Sequence, residues 1–363
     1  MHKHKQKQKS TGVAALLTAL AMTGVTAFGI TIDTVTIGGA GNDPDDRKML
    51  WDGGTSGYGS VPYTYEIGKT EVTCGQYAEF LNAVAKTSDT YRLYSELMDK
   101  SKDPNGCGIT RSGTDGDWSY EATDPLKPVN YVSVYDAMRF TNWLTNGATT
   151  DVSSTETGVY TLSGDTAIPS NPTVGRNLLE NGTVLTGTGD LANTTGTVWA
   201  LASENEWYKA AYYNVSSSQY SLYANGQDSI TGAEANYEDT VNNYTDYELK
   251  DASSYADEQN GTKDMMGNVQ EWNDSLLTTW GGQDLKFFYV RGARGGTFYY
   301  SDAYLASSGR YNYGGSEDGY DLGFRVVSLS ILAAVPEPEV YAATIGLMML
   351  IIGLWIRRGR STL

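Results

Sequence analysis

Histidine is nearly missing from this chain. Of 363 residues only His2 and His4 are histidine, and both stand in a lysine-rich leader. With the leader removed, the mature chain has none. That excludes a Ser-His-Asp or Cys-His pair, the usual histidine-ligated zinc sites and the two-histidine iron triad. Cysteine is as scarce, represented by Cys74 and Cys107 alone. In an oxidising compartment a single disulfide is one option, and the sequence does not establish the pairing. Basic residues number 26 against 43 acidic, a net charge of −17. This balance argues against a nucleic-acid partner and against an anionic membrane surface meeting the body of the protein, and it favours cations as small partners.

What is present suits a globular body. A hydrophobic share of 40% over this length can bury a full core, in one large domain or two ordinary ones with terminal additions. Tyrosine, at 27, and glycine, at 41, are abundant. Rigid aromatic area on adaptable loops makes binding surfaces, and Tyr-rich strands also simply pack well.

The first ten residues carry Lys3, Lys5, Lys7 and Lys9, and an apolar run over 13–28 comes next, with small residues at Thr26 and Ala27. This is the grammar of a secretory signal peptide over 1–27. Losing its lysines takes the charge from −17 to −21. At the other end, a Val-Pro-Glu-Pro box over Val335 to Pro338 precedes an apolar run at 341–356, closed by Arg357, Arg358 and Arg360. The run is slightly shorter than the roughly 20 residues of a usual spanning helix, and arginines beyond it would hold that end in the cytoplasm. Box, apolar helix and basic cluster in that order resemble the PEP-CTERM sorting signal of Gram-negative bacteria. The resemblance implies export, at least transient anchoring of residues 329–363 in the membrane by this transmembrane helix, and processing by exosortase-type machinery. The mature body then reaches the cell surface or the extracellular space.

Within the body, residues 30–37 alternate Thr and Asp with Ile and Val as a strand does. Residues 63–72 form a second candidate strand, after which Thr73 opens a helix to about 85 with Gln76 spaced for a capping box. The same grammar recurs at Ser133 and Asp136, with a helix to 144, and at Ser203 and Glu206, with a helix to about 213. Between the last two, residues 147–197 are rich in Thr, Gly, Ser and Asn, which predicts a loop-rich insertion broken by a short strand at 160–162. Alternating strands and helices would by themselves suggest a parallel α/β sheet. Arg294, Arg310 and Arg325 are expected to pair with carboxylates and tie irregular loops together.

The stretch Gly261-Thr-Lys-Asp-Met-Met-Gly-Asn-Val-Gln-Glu-Trp272 sets the side chains of Asp264, Asn268 and Glu271 in one short loop around Gly267. Hard oxygen donors on a tight turn suit calcium, and an Asx-rich turn that caps the next element is the plainer reading.

Six segments in order resemble the sulfatase-modifying-factor family, whose founding member is the formylglycine-generating enzyme. They are Ile67-Gly-Lys-Thr-Glu-Val-Thr73, Pro128-Val-Asn-Tyr-Val-Ser133, Leu201-Ala-Ser-Glu-Asn-Glu-Trp207, the stretch from Asp264 to Trp272, Arg294-Gly-Gly-Thr297 and Gly323-Phe-Arg-Val326. The resemblance implies an α+β fold, a variant of the C-type lectin fold, over 28–328, loop-rich and calcium-held. It implies one calcium site from the side chains of Asp264 and Glu271 and the carbonyls of Gly267 and Val269. A second would use Asn236 and the Tyr237 carbonyl, with Asp239 and Asp246 as further candidates. The family's copper-binding cysteines fall at Tyr300 and Leu305, and Gln270 stands where a Trp is usual. Neither phenol nor isobutyl replaces a thiolate toward cuprous copper, so copper is not expected. The expectation is an exported, calcium-stabilised binding protein of the cell surface or matrix without oxidase activity, its partner an extracellular polysaccharide or a surface protein. The alternative is a cysteine-independent enzyme of the same family.

Overall fold

The structure, a computed structural model, describes residues 29–238, 247–277, 279–280, 283–284 and 289–332. The expected signal peptide, the Val335 to Pro338 box, the apolar run with its arginines, and Asp239 and Asp246 lie outside these residues. Among the described residues no helix is long and apolar enough to cross a membrane.

In chain order the strands before the first helix are β1 (Thr34–Ile37) and β2 (Tyr65–Gly68). Helix α1 (Cys74–Val84) comes next, then the hairpin β3 (Ile109–Thr114) and β4 (Asp117–Ala122), then α2 (Val134–Thr145). Beyond it lie β5 (Leu178–Asn181), β6 (Val184–Gly187), β7 (Gly196–Leu201) and α3 (Glu204–Tyr212). Short pairs β8 (Tyr213–Asn214) and β9 (Gln219–Tyr220) lead to β10 (Gln270–Leu276), β11 (Thr279–Trp280) and β12 (Gln283–Asp284). The last strands are β13 (Val290–Arg294), β14 (Tyr311–Gly314), β15 (Leu322–Phe324) and β16 (Val326–Leu332).

The three α-helices among the described residues start as their sequences require. Thr73, Ser133 and Ser203 each accept a hydrogen bond from the backbone N–H three residues on, and the side chains of Gln76, Asp136 and Glu206 each accept one from the cap's own N–H. The reciprocal bonds satisfy N–H groups that a helix start leaves unpaired. Helices α1 and α2 bring Tyr77, Phe80, Phe140 and Trp143 together under Phe324 of β15, with ring centroids 5.2–6.4 Å apart. This aromatic core joins helices to sheet.

Two sheets carry the body. In the first, β16 is central: β7 runs antiparallel along one edge, β2 and the parallel β6 share the other, and β1 and β5 extend it. The second has the order β14-β13-β10-β15, with only the β10–β15 pairing parallel. The mixed, mostly antiparallel pairing rules out the doubly wound α/β arrangement that alternation alone suggested, because strand partners come from distant parts of the chain.

Two local expectations change. The insertion 147–197 is not merely loop, since β5 and β6 form a hairpin that joins the main sheet through Ile331↔Leu185. The strand expected at 160–162 is a single bridge, Tyr160↔Arg176. Cys74 and Cys107 are both free thiols, and the Cys74 Sγ donates to the Cys107 carbonyl at 3.2 Å, so the disulfide option is not realised.

Candidate metal centre and the aromatic face

The loop before β10 has an unusual backbone. Asp264, Gly267 and Asn268 all have positive φ, at 56°, 79° and 62°. A Cβ on Gly267 would sit 2.1 Å from the Asn236 carbonyl oxygen, so glycine is required there. That close approach is a parallel bridge between Asn236 and Gly267, and the Asn268 N–H donates to the Asn236 carbonyl at 2.8 Å. The structure thus brings the two expected calcium segments side by side. Gly267 N–H also donates to the Gly295 carbonyl at 2.8 Å and Phe298 N–H to that of Asn268 at 3.0 Å, which ties the loop to the Arg294 segment.

Beneath the loop lies a buried group of acids. Glu71, Glu258, Asp264 and Glu271 are all shielded from solvent, and Arg325 faces them. Arg325 grips Glu271 with two bonds of 2.6 Å, and Trp207 Nε1 donates to the same carboxylate at 2.7 Å. One guanidinium does not neutralise the rest. Burial pushes the Glu258 carboxyl up to about 8 and Asp264 up to about 6, and it drives Glu71 well above the carboxylate range, helped by the Asp264 charge.

Two of these acids are only half satisfied. Asp264 Oδ2 accepts from Ser253 N–H at 2.9 Å and Glu71 Oε1 accepts from Asn268 Nδ2 at 3.1 Å. Asp264 Oδ1 and Glu71 Oε2 are buried without a partner. An unpaired buried carboxylate oxygen costs free energy unless it takes a proton or a cation. Hard anionic oxygens beside a loop with backbone carbonyls fit calcium in donor chemistry. Asp264 fits the expected ligand role; Glu271 fits it less well, because both its oxygens are held by Arg325. Glu71 also belongs to this group, and its only sequence signal is a lone acid between a strand and the apolar Val72. Among the described residues no three His, Cys, Asp or Glu side chains converge as a ready cage. Of the second expected site, Asn236 spends its amide on Glu248 and Asn268, at 2.8 and 3.1 Å.

The expected arginine pairs are present. Glu204, at the start of α3, accepts from Arg294 at 2.7 and 2.9 Å and from Arg310 at 2.6 and 2.7 Å, and Arg310 also reaches Asp52 at 3.1 Å. Burial opposes ionisation of Glu204, and the two guanidiniums outweigh it and hold the carboxyl below its usual range. A network the sequence did not reveal joins Arg176 to Glu206, at 2.6 and 3.0 Å, and to Asp274 at 2.5 Å. It pins the insertion to α3 and β10.

Past Arg294 lie Tyr300 and Leu305, where the resemblance led us to expect the family's cysteine positions. Leu305 is fully buried and Tyr300 is half-buried. Tyr300 stacks on Tyr304 with centroids 4.6 Å apart and 17° between planes, and Trp51 covers Tyr304 at 4.6 Å and 24°. Tyr311 lies alongside, 5.7 Å from Tyr304. Gln270 accepts from the Tyr313 hydroxyl at 2.5 Å, while its own Nε2 has no partner. Burial raises the Tyr300, Tyr311 and Tyr313 phenols, which keeps them protonated and poorly nucleophilic. Neither Cys74 nor Cys107 is here, for both pack beside α1 and β3. The face is equipped for contact.

The model of the sulfatase-modifying factor enzyme 1-like domain matches residues 59–329. No curated protein matches. Among solved structures, the Treponema denticola variable protein 1 superposes with a TM-score of 0.50 at 16% identity, covering 83% of this chain and 96% of that one. CarF gives 0.48 at 19% identity, covering 82% and 98%. PvdO from Pseudomonas aeruginosa gives 0.42 at 17%, covering 82% and 91%. At 16% identity the likeness to the Treponema denticola protein concerns the fold alone.

Proposed function

Because the chain belongs to the family of sulfatase-modifying factor enzyme 1-like domains, we propose that it is an exported, calcium-stabilised member that binds a partner at the cell surface or in the matrix and has lost oxidase chemistry. One observation carries this reading: Tyr300 is stacked on Tyr304 and Leu305 is buried, at the positions to which the family resemblance assigns the thiolates of the formylglycine-generating enzyme. A thiolate is the soft ligand that cuprous copper requires, and the aromatic pile offers none.

Calcium would be held by Asp264 and the carbonyls of Gly267 and Val269, with Glu271 and the Asn236–Tyr237 segment close by. It would neutralise buried carboxylate charge and fix the loop. Export and anchoring rest on the terminal segments, with exosortase-type machinery as the processing partner. The occupant of the aromatic face would be a surface protein or an extracellular polysaccharide. A peptide with a Cys-x-Pro-x-Arg motif, incubated with copper-loaded protein and read by mass spectrometry, should keep its thiol. Conversion to formylglycine overturns the reading.

A further inference from the structure

Resting on the reading of this chain as a binding protein, we propose that the cleft between the loop 39–47 and the β8–β9 hairpin binds a neutral saccharide chain through its hydroxyl groups. The cleft has a volume of about 730 Å³, within the range of small-ligand sites. A second hollow of about 250 Å³ shares Gln219 and Tyr220 of β9 with it. Two hollows that meet at one strand suit a chain of several rings better than a single compact ligand. Neither the aromatic face nor the candidate metal centre contributes a lining residue to either hollow.

The walls are fixed before any ligand arrives. The Tyr220 hydroxyl accepts from Asn42 Nδ2 at 2.7 Å and donates to the Asp43 carbonyl at 2.9 Å, which clips the hairpin to the loop. Its half-buried ring leans on Tyr213 with centroids 5.0 Å apart. Behind the loop the buried Lys209 ammonium donates to the Gly39 carbonyl at 2.8 Å. Walls held this way lose little further freedom on binding.

The groups left free select the ligand. Gln219 and Gln227 are exposed amides, each able to donate and to accept, and Gln219 Nε2 meets only the carbonyl of its neighbour Ser218, at 3.0 Å. Asp43, Asp46 and Asp228 add exposed carboxylates, which only accept. Donors and acceptors mixed along one cleft match hydroxyl groups, which are both at once. An anionic ligand finds no free counter-charge, because Arg47, the only cation of the lining, is engaged by the Ser221 carbonyl, the Ser307 hydroxyl and Asp45. A bare metal ion is disfavoured as well, since among the described residues no three acidic side chains converge. A polypeptide would need large anchors, and the exposed apolar groups of the lining are only Ala40, Pro44 and Val215.

The test is calorimetric titration of the whole exported protein with neutral hexasaccharides of glucose, mannose and galactose, with an oligouronate and with a mixed-sequence peptide of similar length. At least one neutral hexasaccharide should bind saturably, and a roughly tenfold rise in salt should change its affinity less than about twofold, because no net charge is paired. Gln219→Ala should weaken it about fivefold, the loss of one hydrogen-bonding amide, and adding Gln227→Ala should weaken it further. Asp115→Asn with Glu121→Gln, exposed acids on the β3–β4 hairpin, should change it less than about twofold. Thermal melts of each variant check that the fold is intact. Binding of none of the neutral hexasaccharides, tighter binding of the oligouronate or the peptide, or affinity that Gln219→Ala leaves intact would each overturn the proposal; affinity lost in Trp51→Ala instead would move the sugar to the aromatic face. Those results leave the reading of the chain as a binding protein standing, whereas formylglycine production in the peptide assay sinks that reading whatever the titrations show.

Discussion

Removing calcium from the body, residues 30–334, should lower its melting midpoint by about 5 °C. The perturbation is chelation, compared with calcium at about 100 times its dissociation constant. A ligand that binds only the folded state then contributes about 2.7 kcal/mol. The matched domain spans 59–329, and an unfolding entropy of about 2.1 cal/mol/K per residue over roughly 270 residues gives about 0.57 kcal/mol/K. The quotient is near 5 °C. The structural basis is the pair of orphaned oxygens, Asp264 Oδ1 and Glu71 Oε2, which a hard cation would satisfy. Differential scanning calorimetry with calcium, with chelator and with magnesium measures it. Asp264→Ala should remove most of the calcium increment, since it discards both side-chain oxygens. An unchanged midpoint on chelation would refute the metal centre and leave protonated carboxyls as the way this interior is satisfied.

Three further outcomes concern the same interior. Glu204→Gln would strand the Arg294 and Arg310 guanidiniums in a buried site, and a loss of about 3–5 kcal/mol should appear as a lower urea midpoint. Gly267→Ala should cost roughly 3 kcal/mol or more, because its φ of 79° and the 2.1 Å approach to the Asn236 carbonyl both oppose a Cβ. Asp136 sits in the α2 cap with burial raising its carboxyl from 3.8 to about 6. A raised carboxyl favours the folded state below the unfolded value and loses that advantage as pH rises through 6, at a cost of about 3 kcal/mol near neutrality. Asp136→Asn should therefore stabilise the protein at pH 7.5 and change little near pH 4, as read by chemical denaturation at the two pH values.

Much of the local structure was legible in the chain. The three helix starts at Thr73, Ser133 and Ser203 are read from residues three apart, because a capping box is satisfied within one turn and needs no distant partner. Strand β1 was visible in its alternation and β2 as a candidate strand, both expected longer than they are, since pairing rather than pattern sets where a strand ends. The absence of thiolates at Tyr300 and Leu305, and the acid excess, were also plain from residue identity. The family order of six segments supplied the fold class that alternation alone would have misjudged.

Folding settled which distant groups meet. Arg176 in an apparently featureless insertion closes on Glu206 and Asp274, 30 and 98 residues away. Glu71 joins Asn268 from 197 residues away and leaves one oxygen bare, while Glu271, expected as a free ligand, is claimed by Arg325. Cys74 and Cys107 remain thiols inside the core. A carboxylate's role depends on burial and on the charge beside it, and neither is encoded by its neighbours along the chain; helix caps and missing side-chain types are local facts, so they could be read before any fold was known.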